Sequence, residues 1–273
     1  MPKKEKNKTV GAGSKPAHKT NKKTKTSKKI TMEQKRKRRK ILKWTSLIIL
    51  ISVAIILFLL SSIFNIKEIK VINNNKIPEQ EIVNLSSIKV NENMFKFLKI
   101  KASENIKTNP YIESVEIHRK LNGTIKIKVK ERVTTYMLPI NEAEYAYMNN
   151  QGYILEISSE KLEVPIIIGY STENVEPGNR LEVADLKKLN TVVQILNTAK
   201  EKDLAEKITS INIEDEKDFV ITMESENKII HFGDSKSIND KFVKLVAVLE
   251  DTVGEKGEIF LKNVDKIYFR KEV

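Results

Sequence analysis

The side chains that could do chemistry are few, and they do not converge. Beyond residue 66 the only histidines are His118 and His231, far apart and each in strand-like sequence. Neither belongs to an HExxH pair or has an acidic ligand at a useful spacing, and a zinc site needs three or four ligands. No serine sits in GxSxG, and no glycine-rich phosphate loop occurs. Gly254 and Gly257, in TVGEKGEIF, read as turn glycines, and Glu214-Asp215-Glu216 reads as a solvated loop rather than a catalytic carboxylate pair. There is no cysteine, so disulfides and thiolate ligands are excluded. These residues predict no catalytic site, no metal, no cofactor and no small-molecule substrate. What remains is a role in binding other macromolecules.

The strongest pattern lies near the amino end. Lys35 to Lys40 is an unbroken basic run, and after Lys43 no charge occurs until Lys67. An uncharged helix from Trp44 to Ile66 would be ~34 Å long at 1.5 Å per residue, enough to cross a hydrocarbon core of ~30 Å. Trp44 stands where an interfacial aromatic belongs. The interior serines and threonine can bond back to helix carbonyls. A cleaved signal fits poorly, because 43 residues precede the run and no small-x-small site follows it. A transmembrane helix over residues 41–64 is therefore expected.

Charge sets the direction. Residues 1–43 carry +16 and the whole chain +13, so residues 44–273 come to −3. Basic flanks stay in the cytoplasm, which predicts a basic cytoplasmic tail (residues 1–40), one span, and everything after it extracytoplasmic. Residues 1–34 have almost no apolar side chains and are expected to be disordered. The basic run can touch anionic lipid headgroups. Because topology already requires that charge, it gives no ground for specific nucleic-acid binding.

The outer part divides into two modules. In the first, IKEIKV starts as a strand, and Pro78 with Glu79 and Glu81 opens a helix. Met94, Phe95, Phe97, Leu98 and Ile106 suggest a second helical region that ends at Asn109-Pro110. A hairpin follows: Val115 and Ile117 alternate with charges, Asn122-Gly123 turns, and Ile125, Ile127 and Val129 alternate with lysines. The order β-α-α-β-β implies a small sheet with helices on one face over residues 65–132.

Residues 133–273 form a mixed α/β module. Short strands (TTYMLPI, YAYMNNQGYILEI, VPIIIG) precede an amphipathic helix bearing Leu186, Leu189, Val193 and Leu196. More strands, a helix bearing Phe242, Leu245, Val246 and Leu249, and a terminal strand in VDKIYFRKEV ending at Phe269 complete it. The fold class is α+β. Strand edges are general docking sites. Val264, Ile267, Tyr268 and Phe269 in the terminal strand are the candidate partner-binding residues, with core filling as the competing role; Tyr268 or Phe269 pointing outward would favour binding.

The ordered series FNIKEIKVINNNKIPEQEIVNLSSI, NPYIESVEIHRKLNGTIKIKVKERV, YMNNQGYIL, VPIIIG and KIIHFGDSKSINDKFVKLVAVLE resembles the FtsQ/DivIB family of bacterial cell division proteins. The resemblance implies a membrane-proximal POTRA domain followed by a so-called β domain, and a non-enzymatic scaffold of the division complex. It implies binding to the small coiled-coil membrane proteins FtsL and FtsB (DivIC in Gram-positives), a part in regulating septal peptidoglycan synthesis, and enrichment at the division septum. It places the FtsB contact on the segment 262–270. The chain ends four residues after Phe269, where many Gram-positive relatives continue with a flexible tail. Another POTRA-bearing envelope protein, acting in secretion or outer-membrane assembly, is the main alternative.

Overall fold

The computed structural model describes residues 31–173 and 175–272. They fall into two units, one ending at Ile56 and the other beginning at Leu57. The disorder expected for residues 1–30 lies outside the described residues.

The described residues of the first unit lie almost entirely in helix α1, Met32–Leu59, which is long and apolar enough to cross a membrane. It starts earlier than a disordered tail to residue 40 would allow. Glu, Gln, Lys and Arg are good helix formers, and they extend the helix backward from its apolar run. The Thr31 N–H bonds Gln34 Oε1 at 3.2 Å, and Glu33 lies in the first turn, where the helix dipole favours an acid. Inside the apolar stretch, Thr45 Oγ1 and Ser52 Oγ donate to the carbonyls of Leu42 and Ile48 at 3.0 and 2.8 Å.

Helix α1 also stops earlier than the uncharged run does. From Ile41 to Leu59 it covers ~29 Å, the thickness of a bilayer core. Beyond it, Ser62–Phe64 make a short 3-10 turn. Phe64 and Ile66 are buried in the core of the next module, not in a longer helix.

That module contains β1 (Glu68–Ile72), α2 (Glu79–Ser86), α3 (Lys99–Ile106), β2 (Ile112–Arg119) and β3 (Thr124–Glu131). The sheet order is β1-β3-β2. β1 runs parallel to β3, and β2 is antiparallel to it with Val115 opposite Val129 and Ile117 opposite Ile127. The expected Asn122-Gly123 turn is present, with Gly123 at φ +94°. A Cβ there would come within 2.8 Å of Lys67 Cγ, so glycine serves both the conformation and the close approach. Helices and sheet enclose Ile82, Met94, Ile106, Ile125 and Ile127.

The second helix is shorter than the apolar pattern suggests. Residues 94–98 are irregular because their backbone is committed elsewhere. Met94 N–H bonds Phe64 O at 2.9 Å, and Asn93 Oδ1 accepts the Phe95 N–H at 2.9 Å.

The second module has one sheet, made of β4 (Tyr136–Pro139), β5 (Tyr145–Met148), β6 (Ile154–Ser158), β7 (Ile166–Ile168), β8 (Ser210–Asn212), β9 (Phe219–Met223), β10 (Lys228–Gly233), β11 (Gly257–Phe260) and β12 (Tyr268–Lys271). Its order is β12-β11-β10-β9-β8-β7-β4-β5-β6. The pairs β4–β7, β7–β8 and β10–β11 are parallel; the last two join strands consecutive in the chain and need crossovers. Helices α4 (Val183–Glu201) and α5 (Ile238–Asp251) supply them. Leu189, Val192, Ile195 and Ala199 of α4, and Phe242, Leu245 and Leu249 of α5, are buried in the core. Leu186, Val193 and Leu196 flank that face and are only partly buried.

Two lysines are buried with this core, Lys228 and Lys241. Lys228 Nζ donates to the Thr252, Glu226 and Glu255 carbonyls, and Lys241 Nζ to Asp234 O at 2.7 Å. Burial pulls both ammonium groups below their ordinary pKa, while the carbonyls satisfy their donors.

Candidate functional site

A nine-stranded open sheet has two edges, and they differ. On the β6 side, Ile154 N–H bonds Asn179 O at 2.9 Å and Ile154 O accepts the Gly178 N–H at 2.8 Å, so a returning loop covers the strand's start. On the β12 side, no described segment pairs with the outer face of the strand.

The β12 register tells which backbone groups are free. Gly257 pairs with Lys271, Glu258 with Arg270, Ile259 with Phe269 and Phe260 with Tyr268. Glu272 N–H bonds Lys256 O at 2.9 Å, which makes that pair, and by alternation Arg270 and Tyr268, the hydrogen-bonded positions facing β11. The N–H and C=O of Phe269 and Lys271 therefore point to the open side. Among the described residues they form a short row of unmatched donors and acceptors, the template that strand addition uses.

Side chains alternate the other way. Tyr268 is 56% exposed, whereas Phe269 and Ile267 pack partly against the core. The terminal strand is Tyr268–Lys271, later than a strand ending at Phe269. Val264 and Ile267 precede it. Val264 lies in a turn in which Asn263 Oδ1 captures the Asp265 N–H at 2.9 Å and Lys266 N–H bonds Asn263 O at 2.9 Å. An Asx turn competes well with a strand here. The four candidate residues thus separate into an outward Tyr268, two core-leaning side chains, and a half-buried Val264 in the turn.

Tyr268 ends a ladder of rings that crosses three strands. His231 on β10 stacks on Phe260 of β11 with centroids 4.5 Å apart, and Phe260 stacks on Tyr268 at 4.6 Å. Ring and polar networks hold the strand in place. Arg270 pairs with Glu258 and lies over the Phe260 ring. His231 Nδ1 is 3.0 Å from Asp218 Oδ2, and Lys262 Nζ is 2.6 Å from the same oxygen. Burial works against the Asp218 carboxylate, but Lys262 and His231 outweigh it and hold its pKa below the ordinary value. His231 is thus a structural residue packed in a ladder. His118 lies exposed beside Glu116, 3.6 Å away. Gly254 occupies a turn at φ +75°. Gly257 does not: it begins β11, where a Cβ would collide with the Arg270 carbonyl and come within 2.8 Å of the Phe269 ring. Glu214-Asp215-Glu216 lie in the loop between β8 and β9, where Asp215 Oδ1 accepts the Lys217 N–H at 2.8 Å. Among the described residues no group of three or more His, Cys, Asp or Glu could hold a metal ion.

The sequence pattern singled out the aromatic pair Tyr268-Phe269 but not Phe260, Arg270, Glu258 or Asp218. Alternation across partner strands was the available signal. It becomes readable only once the register between β11 and β12 is known.

Two family models match the chain after helix α1: the POTRA domain, FtsQ-type, over residues 64–132, and FtsQ/DivIB, C-terminal related, over residues 137–273. The chain is 29% identical over 205 residues to the cell division protein DivIB of Clostridium tetani, covering 74% of this chain and 76% of that one. It is 34% identical over 166 residues to DivIB of Clostridium botulinum strain Hall, covering 60% and 63%. It is 24% identical over 190 residues to FtsQ of Corynebacterium glutamicum, covering 69% and 80%. Similarity thus extends over both folded modules in their order along the chain, and the chain belongs to the FtsQ/DivIB family of cell division proteins.

Proposed function

We propose that this chain is a non-enzymatic, single-pass scaffold of the bacterial division complex, enriched at the septum, with its amino end in the cytoplasm. The basic flank of helix α1 supports that direction, and residues 65–132 and 133–273 then act as the extracytoplasmic POTRA and β domains. Its partners are FtsL-like and FtsB/DivIC-like membrane proteins, through which it helps regulate septal peptidoglycan synthesis. Anionic lipids contact the cytoplasmic basic run.

The observation that carries the reading is the open β12 edge, with Tyr268 exposed beside it. A partner segment adds there as a further strand. Tyr268→Glu in the full chain should weaken co-purification of the small single-span partner from detergent-solubilised membranes by at least about tenfold, with the circular dichroism of the protein unchanged. Unaltered affinity would reject the edge as the docking site. Phe269→Glu should weaken binding as well, with some loss of stability because Phe269 leans on the core.

A further inference from the structure

The membrane-proximal end of the POTRA module presents apolar side chains for which that module has no use. Leu98, Ile100 and Leu121 are 71%, 75% and 78% exposed. Lys96, Lys99, Lys101 and Lys120 alternate with them and are exposed. Among the described residues none of these lysines is in an ion pair.

Contacts within the unit place this rim where the chain leaves helix α1. Asn93 Nδ2 donates to the carbonyls of Leu59 and Ser61, both at 2.9 Å, and so caps the helix end. The Phe95 ring meets Phe64 at 5.4 Å. Lys96 lines a shallow hollow with Leu60 and Ser62. Leu98 is five residues from Asn93, no more than ~18 Å of chain. The β2–β3 turn is tied to the same end, since Lys67 N–H bonds Gly123 O at 2.8 Å. Arg119 joins the two segments: Nη2 donates to Phe97 O at 2.6 Å, and the guanidinium lies 4.5 Å from the Phe97 ring.

We infer that Leu98, Ile100 and Leu121 insert into the lipid interface from which the chain emerges, with Lys96, Lys99, Lys101 and Lys120 on its anionic headgroups. Apolar side chains set among lysines are the chemistry of an interfacial contact. A protein partner is the less favoured occupant, because Asn93 and Gly123 tie the segments that carry these side chains to Leu59, Ser61 and Lys67, the stretch by which the chain leaves the apolar run. Such a contact adds attachment points to the single helix and limits how the POTRA module can tilt on the surface.

The inference rests on reading helix α1 as a membrane span, and one experiment separates the two. The chain has no cysteine, so single cysteines can carry an environment-sensitive fluorophore without background. The full chain is reconstituted into vesicles of phosphatidylglycerol and phosphatidylethanolamine, or of phosphatidylcholine alone. Labels at Leu98→Cys, Ile100→Cys and Leu121→Cys should be quenched by lipids carrying a nitroxide at the headgroup in the anionic vesicles, and several-fold less in phosphatidylcholine. A label at Val253→Cys, near the far end of the second sheet, should stay unquenched. Ile55→Cys should be quenched by a nitroxide deep in the acyl chain. Replacing Lys96, Lys99 and Lys101 with glutamine should lower interfacial occupancy about fivefold per lysine. If Ile55→Cys is quenched and the three rim labels behave like Val253→Cys, the inference is overturned and the span stands. If Ile55→Cys is not quenched, the span reading fails. Equal quenching in both vesicle types overturns the assignment to anionic headgroups. A rim label shielded from water yet unaffected by nitroxide lipid assigns the patch to a protein instead.

Discussion

The two ends of the long sheet are made of similar short strands and are held in different ways. At the β6 end, Leu155 is buried in the POTRA core. Glu156 accepts from Lys76 Nζ at 2.8 Å and from Tyr111 OH at 2.6 Å, and Lys76 also bonds Tyr111. Arg132 donates to the carbonyls of Pro110 and Ile112 at 2.8 and 2.7 Å and lies over the Tyr153 ring. At the β12 end there are one four-residue ladder, one ring stack, the partial packing of Ile267 and Phe269 on the core, and ion pairs whose basic partners Lys262 and Arg270 are exposed. Exposed pairs of that kind add little. The sheet thus spends one edge on joining its own two modules and leaves the other open. An edge that must accept a partner strand cannot also be covered by the chain itself.

The largest effect is expected at Gly257. Its Cβ would overlap the Arg270 carbonyl and press on the Phe269 ring, and backbone cannot yield as a flexible side chain does. Gly257→Val should cost about 3 kcal/mol and release β12 from β11 while the junction with β6 stays formed. Native-state hydrogen exchange reads this directly: protection at Tyr268 and Arg270 should vanish, and protection at Ile154 and Arg132, whose N–H groups bond Asn179 O and Tyr111 O, should remain. Equal loss at both ends would mean that the two edges are not independent.

Arg132 tests the other end. Arg132→Ala removes two hydrogen bonds to buried-side carbonyls and the stack on Tyr153, for a cost of about 2 kcal/mol. The denaturation midpoint should fall, and partner binding at β12 should be unchanged by titration. A parallel loss of binding would show that the open edge depends on how the modules are joined.

Much of this contrast was legible in the sequence, and the missing part has a physical cause. The β2–β3 hairpin could be read because strict alternation and Asn-Gly are local signals. Both long helices could be read from their apolar stripes. The end of α1 could not: Phe64 and Ile66 are as apolar as lipid-facing residues, and only their long-range contacts, Phe64 with Met94 and Phe95 and Ile66 with Glu92, assign them to a protein core. The same holds for Met94 and Phe97, which look helical in pattern but pack from an irregular segment. At the candidate site, Tyr268 and Phe269 were found by composition, whereas the turn at Asn263 that removes Val264 from the strand rests on one side-chain and one backbone hydrogen bond. The junction was not foreseen, because Lys76, Tyr111 and Glu156 come from three distant segments.

The smallest effect is the pH dependence of that junction. Hydrogen bonds from Lys76 and Tyr111 hold the Glu156 carboxyl below its ordinary pKa, against the opposing pull of burial. For Lys76, burial lowers the pKa, but the bonds to Glu156 and Tyr111 outweigh it and raise it. A carboxylate with a depressed folded-state pKa contributes stability that is complete above its unfolded pKa and fades as pH falls through the folded value. The junction should therefore be intact at pH 7 and weaken below about pH 4.5. Since Glu156 and Lys76 side chains are 43% and 49% exposed, water screens the pair and the loss should be only about half a kcal/mol. Glu156→Gln should lower stability by a similar amount at pH 7 and flatten the acid slope of the denaturation midpoint between pH 5 and 3. Asp218 at the open end is also depressed, so Asp218→Asn should remove a separate part of that slope. If Glu156→Gln leaves the acid slope unchanged, the polar cluster does not help to hold the modules together, and the buried Leu155 with the Arg132 stack must do so alone.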